Sequence, residues 1–387
     1  MSFNLSERLQ QLPPYLFVEI DKAKRKAREE GRDIIDLGIG DPDQPTPQFV
    51  IEALVKAAHE PANHRYALDQ GMPSLRQAIA RWYHRKFDVI LDSDKEILPL
   101  IGSKEGIAHF PLAFLNKGDV SLVPDPCYPP YKGGTILAGG LVQLMPLLEK
   151  NNFLPDFTNI PKNKLKKAKI LYLNYPNNPT ASVCDLSFYK EAVSFAKKHN
   201  LIIVSDLAYS EITYDGYHAP SIFNVAGAKD LAIEFHSLSK TYNMTGWRVA
   251  WACGNSQLVQ GLAKVKSNID SGIFSAIQVA ATAALEADDK FINGLCNMYR
   301  ARRDCLIKGL EELGWKPQVP KATFYVWVKV PKKKSSIEFA KLLLDKADVV
   351  VTPGVGFGPS GEGFIRFALT QAPERIQEAV ARLKKVV

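Results

Sequence analysis

Between Phe235 and Arg248 the chain sets His236, Ser237, Ser239, Lys240, Thr241, Thr245 and Arg248 between two apolar runs, Leu231-Ala232-Ile233 and Val249-Ala250-Trp251. Serine hydroxyls beside an arginine supply hydrogen-bond donors and a forked permanent charge, a donor set that suits a phosphate. A lysine amine next to such a pocket is a nucleophile toward an aldehyde, with which it forms a Schiff base. Taken alone, Lys240 reads more simply as a solvated loop charge. Ser237-Leu238-Ser239-Lys240 also spells S-x-x-K, a serine acyl-enzyme pattern, but the companion Ser-Asp-Asn and Lys-Thr-Gly motifs are absent.

Other polar residues sit where apolar runs end. Asp206 closes Leu201-Ile202-Ile203-Val204-Ser205, so its carboxylate is expected to be partly buried and to need a cation or a hydrogen-bond network. A helix cap or loop anchor is the plainer reading. Tyr209 is three residues later and points either to the same pocket or into packing. Ser103 and Lys104 follow Gly102 and open a helix. Backbone amides at such a start favour phosphate, although an ordinary capping serine explains Ser103 as well. Arg366 shares a strand face with Phe364 and Ala368. It requires an anion there, either a structural carboxylate or a bidentate substrate carboxylate. Gly354-Val355-Gly356-Phe357-Gly358 does not follow G-x-G-x-x-G and carries no nucleotide role.

The elements that position these residues follow from periodicity. Helices are expected at about 17–30, 47–59 and 73–87, with a Gly- and Pro-constrained loop at Gly38-Ile39-Gly40-Asp41-Pro42-Asp43. From residue 97 strands and helices alternate, with strands at 97–101, 120–123, 141–145, 170–173 and 201–204 and a helix at about 186–199. These strands are largely apolar instead of alternating, which predicts an α/β fold with a largely parallel sheet covered by helices on both faces. Ligands bind at the carboxyl ends of such strands, where the polar residues lie. After Trp251 come long helices near 255–268, 275–286 and 288–313, then strands at 323–329, 348–352 and 363–369 and a final helix from 373. The expected division is an N-terminal arm with part of a small domain at 1–45, a large domain at 46–285 and a small α+β domain at 286–387. No repeat or low-complexity linker intervenes.

A chain of 387 residues exceeds what one core usually serves, and 46% apolar with 23% charged residues is ordinary for a globular protein. The net charge of +8 is carried in short clusters, Lys162 to Lys169 and Lys332-Lys333-Lys334, with few interleaved aromatics. They read as solvated faces, so no nucleic-acid partner is expected. Five scattered cysteines lack metal-ligand spacing. Reduced thiols, no metal and a cytoplasmic location are expected, with no signal peptide and no membrane span.

The combination of Ser237-Leu238-Ser239-Lys240, Arg248, upstream Asp206 and Tyr209, Asn178 in an Asn-Pro turn, and Arg366 near the end resembles the fold-type I pyridoxal-phosphate aminotransferases over essentially the whole chain. That resemblance implies a mostly parallel seven-stranded sheet between helices, a smaller α+β domain and pyridoxal 5'-phosphate as cofactor. It implies that Lys240 is the Schiff-base lysine and proton shuttle, and that Asp206 pairs with the pyridine nitrogen. Tyr209 and Asn178 hold the phenolic oxygen, and Tyr128 stacks on the ring. Ser103, Lys104, Ser237, Arg248 and, more weakly, Ser239 hold the phosphate. Tyr66 reaches the phosphate of a neighbouring subunit in a homodimer with shared sites. Arg366 and the Gly40 backbone bind the substrate carboxylate, and the reaction is a ping-pong exchange between an amino acid and a 2-oxo acid such as 2-oxoglutarate.

Within that family, Leu12-Pro13-Pro14-Tyr15-Leu16-Phe17-Val18-Glu19-Ile20 and Asp36-Leu37-Gly38-Ile39-Gly40-Asp41-Pro42-Asp43 look most like the LL-diaminopimelate aminotransferases of lysine biosynthesis. That likeness implies Tyr15 in the substrate pocket, Asp69 in the place of a partner-subunit glutamate that reads the distal end of the substrate, and Ser275 near the pocket from the partner. Aspartate, alanine, aromatic or N-succinyl-diaminopimelate transamination, and a non-catalytic cofactor-binding protein, are the alternatives.

Overall fold

The computed structural model describes residues 3–12, 16–67, 70–331 and 334–386, and within the helix Leu16–Glu29 the side chains from residue 21 onward. Among the described residues twelve strands form in chain order: β1 (Ile35–Asp36), β2 (Ile97–Leu100), β3 (Val120–Asp125), β4 (Leu141–Pro146), β5 (Ala168–Asn174), β6 (Ile202–Asp206), β7 (Ala232–Ser237), β8 (Ala250–Gly254), β9 (Tyr325–Lys329), β10 (Val349–Val350), β11 (Thr352–Pro353) and β12 (Phe364–Ala368).

Seven of them make one sheet in the order β2-β8-β7-β6-β5-β3-β4. Its pairings are parallel from β4 to β7, and β8 runs antiparallel to both β7 and β2. The exception has a covalent cause. Residues 238–249 hold only the four-residue helix Leu238–Thr241, whereas a parallel return takes a dozen or more residues, usually with a full crossover helix. The chain therefore turns straight back. Every residue of β2, β3, β7 and β8 is buried, as in strands covered by helices on both faces.

One core lies on one face of this sheet around Trp82, Leu171, Leu173, Phe188 and Trp251. The other face packs Leu100, Phe110, Val123, Ile233 and Leu262. The helices Gln48–Ala58, Pro73–Phe87, Leu186–His199 and Ser275–Glu286 fall where their apolar periodicity puts them.

A second core gathers Leu306, Leu310, Phe324, Val326, Ile365 and Ile376. Over it lies the antiparallel sheet β11-β12-β9, beside the parallel pair β1-β10. Residues 35–36 thus pair with residues 349–350, and Leu37 and Ala368 are joined by a backbone bond of 2.6 Å. The long helix Lys290–Glu312 bridges the two cores, with Ile292 in the first and Tyr299 and Leu306 in the second.

The strand order reverses between β3, which connects outward to β4, and β5, which connects inward to β6. The crevice outside the carboxyl ends there is where an open α/β sheet takes its ligand.

Candidate active site

Segments from across the chain converge on that crevice, and local devices place them. β7 ends at Ser237, whose Oγ accepts the Ser239 N–H at 3.1 Å and caps one helical turn. The stretch read from sequence as a loop is therefore the end of a strand followed by that turn, which points Lys240 inward while His236 stacks on Trp251 at 4.7 Å. The Lys240 amine donates to the Gly40 carbonyl at 2.8 Å. Burial pushes it down to about 8; Asp41 opposes the fall, and Arg366 and Arg248 add to it.

β6 ends at Asp206, whose carboxylate accepts from the Tyr131 hydroxyl at 2.7 Å and from Ala208 N–H at 3.3 Å. Burial pushes this carboxyl up to about 6 against those two hydrogen bonds. Of the two supports expected for it, the hydrogen-bond network is the one present. The network continues into β5, where Asn174 Nδ2 donates to the Asp206 carbonyl at 2.8 Å and Asn174 Oδ1 accepts Asn178 N–H at 2.9 Å.

β2 leads through Gly102 into the helix Ser103–Phe114. Gly102 has φ 81°, and a Cβ there would lie 2.0 Å from Arg248 Nη2, so backbone and guanidinium approach as only glycine allows. The N-cap is Gly102 and not Ser103, so capping does not account for the Ser103 hydroxyl.

On the opposite wall, Arg366 of β12 donates to Asn178 Oδ1 at 2.7 Å and to the Gly38 carbonyl at 2.8 Å. Its guanidinium lies 4.1 Å from the Tyr325 ring centre and 4.7 Å from that of Phe357. Both of these oxygens are neutral acceptors, so they aim the fork without neutralising its charge.

The cavity enclosed has a volume of about 250 Å³. Gly40, Asn178, Tyr209 and Arg366 line it together with Ser103, Lys104, Tyr128, Asp206, Ser237, Ser239, Lys240 and Arg248. Residues separated by more than 300 positions thus share one small space. Tyr66 is not brought there: in the single chain it is 92% exposed. Ser275 begins the helix Ser275–Glu286 and does not line the cavity. Tyr15 and Asp69 lie outside the described residues.

Sequence reasoning missed Tyr131, Asn174, Asp41, Phe357 and Tyr325. Tyr131 carried only a weak signal, standing three residues after Tyr128 at a helix start. Tyr325 carried none, since an apolar strand aromatic reads as packing.

The donor set suits a planar aldehyde cofactor with a phosphate. Asp206 is a buried carboxylate that forms no ion pair among the described residues, which fits a protonated ring nitrogen. Three serine hydroxyls, a helix start and Arg248 line the same cavity, and the amine of Lys240 has a lowered proton affinity. Among the described residues there is no cluster of metal-ligating side chains, and no helix is long and apolar enough to cross a membrane.

Residues 32–383 match the family described as aminotransferase class I and II. An LL-diaminopimelate aminotransferase from Moorella thermoacetica is 52% identical over 382 residues, covering 99% of this chain and 98% of that protein. The substrate-bound structure of BacF from Bacillus subtilis superposes with a TM-score of 0.96 at 39% identity, covering 100% of this chain and 98% of that one. The structure of a probable N-succinyldiaminopimelate aminotransferase from Thermus thermophilus gives a TM-score of 0.91 at 37% identity, covering 96% of this chain and 100% of that one.

Proposed function

The chain belongs to the class I and II aminotransferases, and on that premise we propose that it moves the amino group of LL-diaminopimelate to 2-oxoglutarate, using pyridoxal 5'-phosphate held by Lys240. The observation that carries this reading is the meeting of Lys240, Asp206 and Arg366 in one cavity of about 250 Å³. The substrate rests on the likeness to LL-diaminopimelate aminotransferases, at 52% identity over nearly all of both chains. The N-succinyldiaminopimelate aminotransferase stands lower, at 37%.

The cofactor supplies an electron sink for the carbanion formed at the substrate α-carbon. The chain's own residues do the rest. Lys240 takes the α-proton and returns it, and an amine lowered to about 8 is partly neutral near pH 7.5, as a base must be. Asp206 keeps the ring nitrogen protonated, and Tyr131 and Ala208 hold that carboxylate in place. Arg366 binds the α-carboxylate with its fork pre-aimed by Asn178 and Gly38. Ser103, Ser237 and Arg248 bind the phosphate. Tyr209 and Asn178 hold the phenolic oxygen, and Tyr128 covers the ring.

The full site is assigned to a homodimer, with Tyr66 reaching the phosphate of the second copy; its 92% exposure in the single chain suits that reach. Residues 46–285 form the large domain of this assignment, and 1–45 with 286–387 the arm and small domain. The five thiols are unpaired, which suits a reducing cytoplasm.

The test is single-turnover bleaching of the yellow holoprotein by LL-diaminopimelate, N-succinyl-diaminopimelate, aspartate, alanine and an aromatic amino acid. LL-diaminopimelate is expected to react fastest. If it is inert while another donor reacts, the substrate assignment falls. If the protein stays colourless with added cofactor, the cofactor assignment falls too.

A further inference from the structure

Tyr325 touches three parts of the site at once, Tyr209, Arg366 and Gly40. It stands on β9, buried, in register with Ala368 of β12, and its N–H is bound by Thr323 Oγ1 at 3.0 Å. Its hydroxyl lies 2.8 Å from the hydroxyl of Tyr209, which reaches the site from the seven-stranded sheet. Its ring face carries the Arg366 guanidinium at 4.1 Å. Gly40, whose carbonyl receives the Lys240 amine, presses so closely that a Cβ there would lie 2.0 Å from Tyr325 Oη.

Two hydroxyls that share one hydrogen bond have one proton between them and one to spare. Either oxygen can be the donor on distance alone. If Tyr209 donates, its proton is turned away from the cavity. If Tyr325 donates, the Tyr209 proton remains for a ligand, and accepting a hydrogen bond makes Tyr209 a stronger donor itself. Tyr325 Oη is otherwise pressed against Gly40, and the pair to Tyr209 is the hydrogen bond it makes among the described residues.

We propose that Tyr325 is a positioning residue that gives its proton to Tyr209 Oη, directing the Tyr209 proton into the cavity, while its ring holds Arg366 at the carboxylate position. One rigid strand residue thereby ties the cofactor's phenolic contact to the substrate clamp across the two sheets. The inference rests on the functional reading above, in which Tyr209 meets the phenolic oxygen.

The test compares Tyr325→Phe, Tyr325→Leu, Tyr209→Phe and Tyr209→Phe/Tyr325→Phe as cofactor-loaded proteins. The readouts are the pH midpoint of the visible absorbance, kcat and KM, and thermal stability. Tyr325→Phe keeps the ring and volume, so the thermal midpoint stays near wild type and the KM for the amino donor stays within about twofold. Its absorbance midpoint rises by roughly 0.5 to 1 pH unit, the scale of one neutral hydrogen bond, and kcat falls about three- to tenfold. In the Tyr209→Phe background the same change adds no further shift, because the effect passes through Tyr209. Tyr325→Leu also removes the ring under Arg366, and KM rises about tenfold. A Tyr325→Phe midpoint equal to wild type, or an equal shift with and without Tyr209, overturns the proton direction. A Tyr325→Leu KM equal to that of Tyr325→Phe overturns the role of the ring. Wild-type protein that takes up no cofactor removes the functional reading and this inference together, whereas normal wild-type titration with an indifferent Tyr325→Phe removes this inference alone.

Discussion

Asp206 and Glu234 lie on the adjacent strands β6 and β7, both fully inside the protein and neither in an ion pair among the described residues. Burial pushes the first up to about 6 and the second up to about 7. Their surroundings differ. Glu234 accepts from Ser221 Oγ at 2.7 Å, Ser205 Oγ at 3.0 Å, Tyr83 Oη at 3.1 Å and Ile222 N–H at 3.1 Å, a closed set of four donors in the core. Asp206 has one strong donor and one longer one, and it faces a cavity. A carboxylate has about four acceptor sites. Glu234 has filled them from the protein, whereas Asp206 keeps acceptor capacity at the cavity.

That difference sets what each substitution does. Asp206→Asn keeps size and loses charge, so kcat is expected to fall about 10²- to 10³-fold, the scale of one lost electrostatic contact in a closed site. Thermal unfolding of the cofactor-free protein stays near wild type. Glu234→Ala reverses the pattern. It strands three hydroxyls and a peptide N–H in the core, and denaturant unfolding is expected to show a loss of about 3 kcal/mol. Turnover per folded molecule changes little. If Glu234→Ala were stable and inactive, the two carboxylates would not be divided as proposed.

Two smaller effects follow from pH. An acid whose folded pKa is raised gives stability that is complete below its unfolded value and is lost as pH rises through the folded one. For Glu234 the window runs from its ordinary 4.5 to about 7. Across it, wild type is expected to lose stability relative to Glu234→Gln, read by chemical denaturation at both ends. For Asp206 the consequence is binding: cofactor affinity strengthens as pH rises through about 6, where the carboxylate becomes able to pair with a cationic ring nitrogen. The smallest change is Tyr131→Phe. It removes a donor that favours the charged carboxylate, so the affinity midpoint moves to higher pH while the fold is unaffected.

Much of the sheet was legible because its signals are local. Apolar runs marked β3, β5 and β6, and the helices Pro73–Phe87, Leu186–His199 and Ser275–Glu286 fell at their expected bounds. Pro73 stands at a first helical position and Asp185 accepts Phe188 N–H as an N-cap, both readable without knowing the fold. The polar residues at strand ends were legible for the same reason. Ser103 as a cap was not, because Gly102 takes that place, packed against Arg248, which is distant in sequence. The turn at Leu238–Thr241 was too short for helical periodicity to register.

The sequence by itself determined the chemistry available at the site: a lysine, a carboxylate at a strand end, hydroxyls with an arginine, and a second arginine on an apolar strand. Residue type and local pattern suffice for that, since each is a property of a few neighbouring residues. Only the tertiary structure decided that Tyr131 supports Asp206, that Gly40 receives Lys240, and that Tyr325 joins Tyr209 to Arg366. Those contacts join segments far apart in the chain, and an aromatic at the end of a buried strand has the same sequence pattern whether its hydroxyl meets a polar group of the site or only fills space.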